Sequence, residues 1–372
     1  MKTHLERAFA LLPLVFLCSC GSVRIPETAE YFNSEKLSFH EGYKVLQLTD
    51  IHWSVNTDVA VQGAYLQAVV KAANPDFVMI TGDCLLGASS SIAEAQIRVF
   101  EDFEKPFAVT WGNHDREGEY SPRWLSNLFK NARNSFYGEV IDDNVFGRSN
   151  YVISLKDPIT DRPVWNLYSI DSNSYPDSQN GLYYNYDIIH DDQIAWFKQA
   201  SSYSAKQNGN LAIPGLAYFH IPLWEWGYAY LKNQKGLIGE VLETSANATA
   251  PKELQSAYAE AGIKEGVRFW PGYRQTTFFD DGVKAGVKGF FCGHDHSNDW
   301  GSSFTSSAGS AFVGYGVKSG QELYFAHSEK RGFDIIGGSL STLHADGTFD
   351  LTHYYVQTDS AYTSYTEEVK GL

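Results

Sequence analysis

The feature that most constrains this chain is a repeated pattern in which a short apolar run ends in polar residues. Apolar runs at 44–49, 76–81 and 107–111 are each followed by Asp, Asn or His, and helix-like segments at 60–73 and 91–103 separate them. Strands that alternate with helices in this way indicate right-handed βαβ units and a parallel sheet. Because ligands collect beyond the carboxyl ends of such strands, the pattern predicts a binding site formed by the polar residues.

The second half of the chain is less regular. Apolar runs predict further strands at 163–170, 216–219 and 287–292, and strands of a second sheet at 334–336 and 348–356. Helical spacing predicts a helix at 191–204. The stretches 172–190 and 233–273 fit no regular element and are longer than ordinary connections, so we expect them to be loops that cover part of the molecule.

The polar residues at the predicted strand ends include seven that commonly bind metal ions: Asp50, His52, Asp83, Asn113, His220, His294 and His296. Seven mixed oxygen and nitrogen ligands are too many for one tetrahedral zinc ion. They suffice for two ions about 3.5–4 Å apart if one carboxylate bridges them. Such a pair fits hydrolysis of a phosphoester, in which both ions hold the phosphoryl oxygens and a bridging hydroxide attacks the phosphorus in line. His114 is then suited to protonate the leaving oxygen or to orient the phosphate.

These residues form five motifs, which occur in the order Asp50-Ile51-His52, Gly82-Asp83, Gly112-Asn113-His114-Asp115, His220 and Gly293-His294-Asp295-His296. In this order the motifs resemble the calcineurin-like metallophosphoesterase superfamily, and in particular its branch of small purple-acid-phosphatase-like phosphoesterases. The resemblance extends from residue 43 to about residue 340. It implies an α/β fold: a four-layer α/β/β/α sandwich of two mixed β-sheets flanked by helices.

Carried over to this chain, the resemblance implies one metal ion held by Asp50, His52, Asp83 and His296. The other ion would be held by Asp83, Asn113, His220 and His294, with Asp83 as the bridge. His114 would be the catalytic histidine, and Asp115 would orient it.

The chain departs from the family pattern at one informative position. Leu86 stands where the purple enzymes carry the tyrosine that binds ferric iron. We therefore expect a colourless enzyme with two divalent metal ions, namely Mn, Fe or Zn, selected by supply rather than by the site.

The beginning of the chain predicts export. Lys2 and Arg7 precede an apolar run at 8–17 that is too short to span a bilayer. Leu17-Cys18-Ser19-Cys20-Gly21 resembles the lipobox of bacterial lipoproteins, which implies a signal peptide of residues 1–19 and lipidation of Cys20 as the first mature residue. We expect an exported lipoprotein of the bacterial cell envelope, on the periplasmic face or the outer membrane, with the membrane as a partner through its N-terminal lipid.

The predicted layout places a linker at 20–40 between the signal peptide and the phosphoesterase domain. The domain occupies 41–360 and contains the irregular insertions near 172–190 and 233–273, and a C-terminal tail follows at 361–372. Cys84 and Cys292 are the remaining cysteines, too few for a disulfide scaffold, and we expect both to be buried free thiols.

Charge narrows the choice of partners. The chain has 44 acidic and 29 basic side chains and a net charge of −15, which argues against a protein that binds nucleic acid by neutralising its phosphates. The charge does not exclude a small phosphoester as the substrate, because a bound metal ion can reverse the sign of a small pocket. A phosphodiesterase or nucleotidase, a secreted nuclease and a non-catalytic metal-binding surface lipoprotein remain as alternatives.

Several further residues have both a structural and a functional interpretation. We expect Asp171 to be a turn or hydrogen-bonding residue. Arg116 could contact the substrate phosphate, but we expect it to form a solvated salt bridge. Six aromatic residues near the predicted site are expected mainly to pack, with at least one lining its mouth: Tyr175, Tyr183, Tyr184, Tyr186, Trp224 and Trp226.

Overall fold

The computed structural model describes residues 37–140, 144–176, 186–233, 236–245, 251–356 and 364–372. The predicted signal peptide, the predicted lipidation site Cys20, and Tyr183 and Tyr184 lie outside these residues. Within the described residues, no helix combines the length and the apolar character that crossing a membrane requires.

The described part of the chain contains seventeen strands and seven α-helices. The strands are β1 Leu37–Ser38, β2 Tyr43–Leu48, β3 Phe77–Thr81, β4 Phe107–Thr110, β5 Tyr151–Lys156, β6 Pro163–Ser169, β7 Gly215–Tyr218, β8 Thr244–Ser245, β9 Gly266–Val267, β10 Val287–Cys292, β11 Gly301–Ser306, β12 Gly309–Tyr315, β13 His327–Ser328, β14 Phe333–Asp334, β15 Gly337–Leu343, β16 Phe349–Val356 and β17 Ser364–Val369. The helices are α1 Val59–Ala73, α2 Ser90–Glu101, α3 Pro122–Lys130, α4 Asp191–Gln207, α5 Trp224–Lys232, α6 Lys252–Glu260 and α7 Phe278–Ala285.

Two large mixed sheets dominate the fold. A six-stranded sheet has the order β17-β16-β15-β2-β3-β4, and a seven-stranded sheet has the order β1-β5-β6-β7-β10-β12-β11. Helices α1, α2 and α3 cover the first sheet, while α4, α5 and α7 cover the second. The predicted four-layer α/β/β/α sandwich is confirmed.

Local sequence signals explain where the helices of the first layer begin and end. Asp58 caps α1 by accepting hydrogen bonds from the backbone N–H groups of Ala60 and Val61, and Asn74 ends the helix in a left-handed conformation. Ser89 caps α2 in the same way, two residues before the start that the sequence predicts. Strands β3 and β4 run parallel to β2, with α1 and α2 as the connections, as the alternating pattern predicts.

Several predictions need correction. The prediction that 334–336 and 348–356 form strands of a second sheet is wrong. Residues 333–334 form a separate two-stranded sheet with β13. Strand β16 belongs to the same sheet as β2, because β15 pairs antiparallel with both strands. Residues 364–369, within the expected tail, form β17 on the edge of that sheet. Leu37–Ser38, within the expected linker, pairs with β5. The 233–273 stretch contains α6, β8 and β9.

The two sheets meet through aromatic side chains. Phe291 on β10 is 1% exposed, and its ring centroid lies 5.9 Å from that of Phe349 on β16 in the opposite sheet. It also contacts Tyr218 and Phe312 within its own sheet. Cys84 and Cys292 are buried free thiols, as expected.

We predict that Phe291→Ala lowers the free energy of unfolding by about 3–5 kcal/mol, because it leaves a cavity between the two sheets. Urea unfolding followed by tryptophan fluorescence measures this loss. Ile159→Ala is the matched control, since Ile159 is 91% exposed. Equal midpoints for the two variants would contradict the assignment of Phe291 to the contact between the sheets.

Candidate metal centre

The candidate site lies where strands of both sheets end. Asp50 and His52 follow β2, Asp83 follows β3 and Asn113 follows β4 in the six-stranded sheet. The seven-stranded sheet contributes two further strand ends, with His220 after β7 and the segment 293–296 after β10. Because the sheets pack face to face, these carboxyl ends meet at one edge of the sandwich.

Glycines allow the loops at this edge to approach each other closely. A Cβ atom on Gly112 would lie 2.2 Å from Asp83 Oδ1, and one on Gly293 would lie 2.0 Å from Thr49 Oγ1. No other residue type fits at these distances. The glycine in each motif is therefore a packing requirement of the site.

Four of the candidate ligands have backbones in the left-handed region. The φ angles are 53° for Asp50, 58° for His52, 49° for Asp83 and 77° for His294. For residues other than glycine this conformation costs about 1–2 kcal/mol each. Strain of this kind persists where surrounding structure enforces it, and it concentrates at functional sites.

Hydrogen bonds between the loops fix this geometry. The His294 backbone N–H donates to the Asp50 carboxylate at 3.0 Å, and the His114 N–H donates to Asp83 Oδ1 at 2.9 Å. The His52 N–H donates to the Asp83 carbonyl.

Six side chains form two overlapping groups that could each hold a metal ion. Asp50, His52, Asp83 and His296 form one group, and Asp83, His220 and His294 form the other. All are buried, and within each group the potential ligand atoms lie within 4.8 Å of one another. Asp83 Oδ2 lies 3.3 Å from His52 Nε2 and 3.1 Å from His220 Nε2, so the Asp83 carboxylate belongs to both groups.

The donor atoms present fit a pair of metal ions. His52 Nε2 and Asn113 Oδ1 are buried and make no hydrogen bond. Buried polar atoms are normally paired, so these two atoms call for a partner that a metal ion would provide. Asn113, which follows β4 at the same edge, is thus available as a further oxygen ligand. Mixed imidazole, carboxylate and amide ligands suit Mn, Fe and Zn.

Electrostatics at the site favour positive charge between the carboxylates. Burial alone would raise the pKa of Asp83, but His220 and His52 outweigh burial and hold this pKa well below its ordinary value. Burial would lower the pKa of His220, but Asp83 outweighs it and raises this pKa to about 10, so a metal ion bound to this ring would displace the proton that Asp83 otherwise stabilises. Burial, followed by the charge of Lys318, lowers the pKa of His52 to about 4, so the His52 ring is neutral and able to bind metal.

Sequence reasoning missed Lys318. This lysine is 1% exposed, and its Nζ donates to the Asp50 carbonyl oxygen at 2.7 Å and lies 3.2 Å from His52 Nδ1. Lys318 thus contacts two candidate ligands of the same group, Asp50 and His52. A single lysine in a Gly/Ser-rich segment carries no local signal of this role.

His114 and Asp115 lie beside the two groups. The His114 ring is 5.7 Å from that of His52, and His114 Nδ1 lies 2.7 Å from the Glu117 carboxylate. Burial opposes protonation of His114, but Glu117 and Asp83 outweigh it and raise the pKa of His114. The buried Asp115 carboxylate accepts hydrogen bonds from the backbone N–H groups of Leu85 and Gly112, which ties two of the loops together.

Residues with two interpretations are resolved by their contacts. Asp171 accepts hydrogen bonds from the Arg116 guanidinium and from the backbone N–H of Arg148, so Asp171 and Arg116 have the roles that we predicted. Trp226 is fully buried in the core outside the seven-stranded sheet. Tyr175, by contrast, is half exposed, and its hydroxyl accepts a hydrogen bond from Asn113 Nδ2 at 3.3 Å.

A sandwich of two mixed sheets whose strand ends gather buried Asp and His groups defines a metal-binding α/β protein. The family model Metallophos, "Calcineurin-like phosphoesterase", matches residues 43–298 of this chain. The chain therefore belongs to the calcineurin-like phosphoesterase family. Membership supports phosphoester hydrolysis as its general activity.

Two relatives have similar sequences. "Phosphatase DCR2" of Saccharomyces cerevisiae is 28% identical over 287 residues, which cover 69% of this chain and 44% of that protein. This chain thus matches less than half of the length of that relative. "Probable inactive purple acid phosphatase 29" of Arabidopsis thaliana is 29% identical over 330 residues, which cover 78% of this chain and 76% of that protein.

A solved structure of a dimetal phosphatase from Danio rerio also resembles this chain. Its TM-score is 0.48 at 12% identity, and the match covers 88% of this chain and 99% of that one.

We predict that Asp83→Asn loses both metal ions together, because an amide cannot supply the charged oxygen that the two groups share. Elemental analysis of reconstituted protein measures ions per chain. Asp171→Asn is the matched control, since Asp171 is also a buried aspartate at a strand end but lies outside both groups, and it should retain two ions. Two ions retained by Asp83→Asn would show that Asp83 is not the bridge.

Proposed function

We propose that this chain is a dimetal phosphoester hydrolase of the bacterial cell envelope. The observation that carries the proposal is the Asp83 carboxylate, which two buried ligand groups share. Asp50, His52, Asp83 and His296 would hold one ion, and Asp83, Asn113, His220 and His294 would hold the other. When bound, the two ions polarise the phosphoryl oxygens and activate a water as nucleophile.

The chain's own residues supply positioning and proton transfer. Glu117 accepts a hydrogen bond from His114 Nδ1, which leaves Nε2 as the ring atom available to substrate. As water forms its bond to phosphorus and the ester P–O bond breaks, His114 would give its Nε2 proton to the departing alkoxide oxygen, and the proton that the water loses would return the ring to its protonated state. The raised pKa of His114 keeps this proton available near neutral pH. Asp115 positions the loop that carries His114.

We predict that His114→Ala lowers turnover about a hundredfold to ten-thousandfold while two metal ions remain bound, because it removes the proton donor but no ligand. Steady-state hydrolysis of phosphate esters, with elemental analysis of the same samples, tests this expectation. His327→Ala is the control, since His327 is exposed and lies outside the site. Equal turnover by wild-type and His114→Ala protein would exclude the acid role.

Assays of different phosphoesters distinguish the substrate classes that the proposed hydrolase could act on. The acidic balance of the chain supports a small phosphoester over a nucleic acid. Aryl monoesters and diesters, assayed side by side with added Mn²⁺, rank phosphatase against phosphodiesterase activity, and plasmid DNA tests nuclease activity. Two bound ions with no turnover on any of these would favour a non-catalytic metal-binding lipoprotein, in keeping with the name of the Arabidopsis relative.

We also propose that residues 1–19 direct export and that Cys20 carries a lipid that anchors the protein. The proposal rests on the positive start, the short apolar run and the lipobox-like residues 17–21.

We predict that Cys20→Ser abolishes lipid attachment and releases the protein from the membrane fraction, because serine lacks the thiol that is modified. Mass spectrometry of the N-terminal peptide and fractionation of bacterial cells measure both effects. Cys18→Ser is the matched control and should leave anchoring intact. Membrane association that persists in Cys20→Ser, or is lost equally in Cys18→Ser, would contradict this assignment.

A further inference from the structure

Three tyrosine rings border the candidate metal centre. Tyr186 lies edge-on to His294, with 4.2 Å between ring centroids, and Tyr175 stacks on Tyr186 at 5.5 Å with 29° between the ring planes. Tyr324 lies 4.5 Å from the ring of His296. The tyrosines therefore flank both ligand groups, with two rings beside His294 and one beside His296. We call these three residues the tyrosine wall.

The backbone fixes the first two rings of the tyrosine wall. Tyr186 forms a β-bridge with Gly272, and its carbonyl oxygen accepts a hydrogen bond from the N–H of Tyr273. The Asp187 N–H donates to the Ser174 carbonyl at 3.0 Å, which brings Tyr175 and Tyr186 together. The backbone segments that carry these two rings are thus joined to each other and to residues 272–273.

The third ring, that of Tyr324, is exposed to solvent and follows a residue with a strained backbone. Leu323 has a φ of 61°, a left-handed conformation that is unfavourable for leucine, and it is 46% exposed. Tyr324 is 57% exposed. A hydrogen bond from Thr57 Oγ1 to the Glu322 carboxylate anchors this segment. Folding gains little from an exposed ring on a strained segment, so its position beside His296 indicates a role in binding.

The tyrosine wall carries no ionic charge at neutral pH, because the ordinary pKa of a phenol is about 10. Neutral, electron-rich ring faces favour stacking with another flat ring and do not compete for the phosphate. The site therefore has a centre between the carboxylates that favours a cation, and a border of neutral aromatic rings.

We propose that the tyrosine wall binds a flat aromatic ring in the alcohol half of the substrate, so that the preferred substrates are phosphoesters of nucleosides or of arylalkyl alcohols. This inference rests on the proposed hydrolase function, because the ligand groups must hold the phosphate. Stacking selects the organic half of the ester, whereas the metal centre performs the same P–O cleavage on every substrate.

The test compares esters that share a leaving alcohol type and differ in the ring. One pair is AMP and ribose 5-phosphate, and the other is benzyl phosphate and cyclohexylmethyl phosphate. For the wild-type holoenzyme we expect kcat/KM to be about tenfold or more higher for the aromatic member of a pair, because stacking contributes binding. Preference within the first pair alone would identify a nucleobase as the ring, and preference within the second pair would identify a simple aryl group.

Substitutions at Tyr324 connect this preference to the tyrosine wall. Tyr324→Leu should reduce the aromatic preference to less than half, whereas Tyr324→Phe should retain it because the ring remains. Tyr354→Leu is the control, since Tyr354 lies on β16, which pairs with β15 and β17 and carries none of the candidate ligands. Tyr324 is more than half exposed, so its replacement leaves the core intact.

A binding measurement separates failure of this inference from failure of the proposed function. Saturation-transfer NMR of AMP with Zn-loaded His114→Ala protein should show stronger transfer to base protons than to ribose protons, and Tyr324→Leu in the same background should remove the difference. No hydrolysis of any ester would reject the proposed function. Hydrolysis with equal kcat/KM within both pairs, or equal transfer to base and ribose protons, would reject the role of the tyrosine wall.

Discussion

The Asp83 carboxylate is the group on which the arrangement of the site depends. It is buried, it lies about equally far from His52 Nε2 and His220 Nε2, and it belongs to both ligand groups. A buried carboxylate without compensating positive charge is strongly unfavourable. The fold must therefore bring imidazoles from β2, β7 and β10 to this carboxylate, and the two sheets must pack face to face for those strand ends to meet.

That requirement explains where the molecule tolerates strain. Four candidate ligands have left-handed backbones, and the loops approach so closely that Gly112 and Gly293 have no room for a side chain. The core between the sheets, represented by the contact of Phe291 with Phe349, supplies the stability that holds this geometry. Favourable packing between the sheets, far from the site, therefore offsets the backbone strain within the site.

The residues at the border of the site come from different parts of the fold than the residues at its centre. The ligand groups come from strand ends whose positions the sheets fix, whereas Tyr175, Tyr186 and Tyr324 come from connecting segments. The 233–273 insertion reaches the same border, where the Asn298 amide donates to the Arg268 carbonyl. Loops on a rigid scaffold are where related proteins vary, so a common metal chemistry can serve different organic substrates.

The resemblance of the five motifs to a known family predicted the sandwich class. Local patterns in the sequence determined the alternation of strands and helices and the set of Asp, Asn and His residues that the structure gathers. These features follow from short-range periodicity and from polar residues directly after apolar runs. Tertiary structure alone decided the pairing of β15 with β2, the contact of Lys318 with His52 and the position of Tyr324. Lys318 lies 266 residues from His52 in sequence, and no local pattern encodes a contact between side chains that only the packing of two sheets brings together.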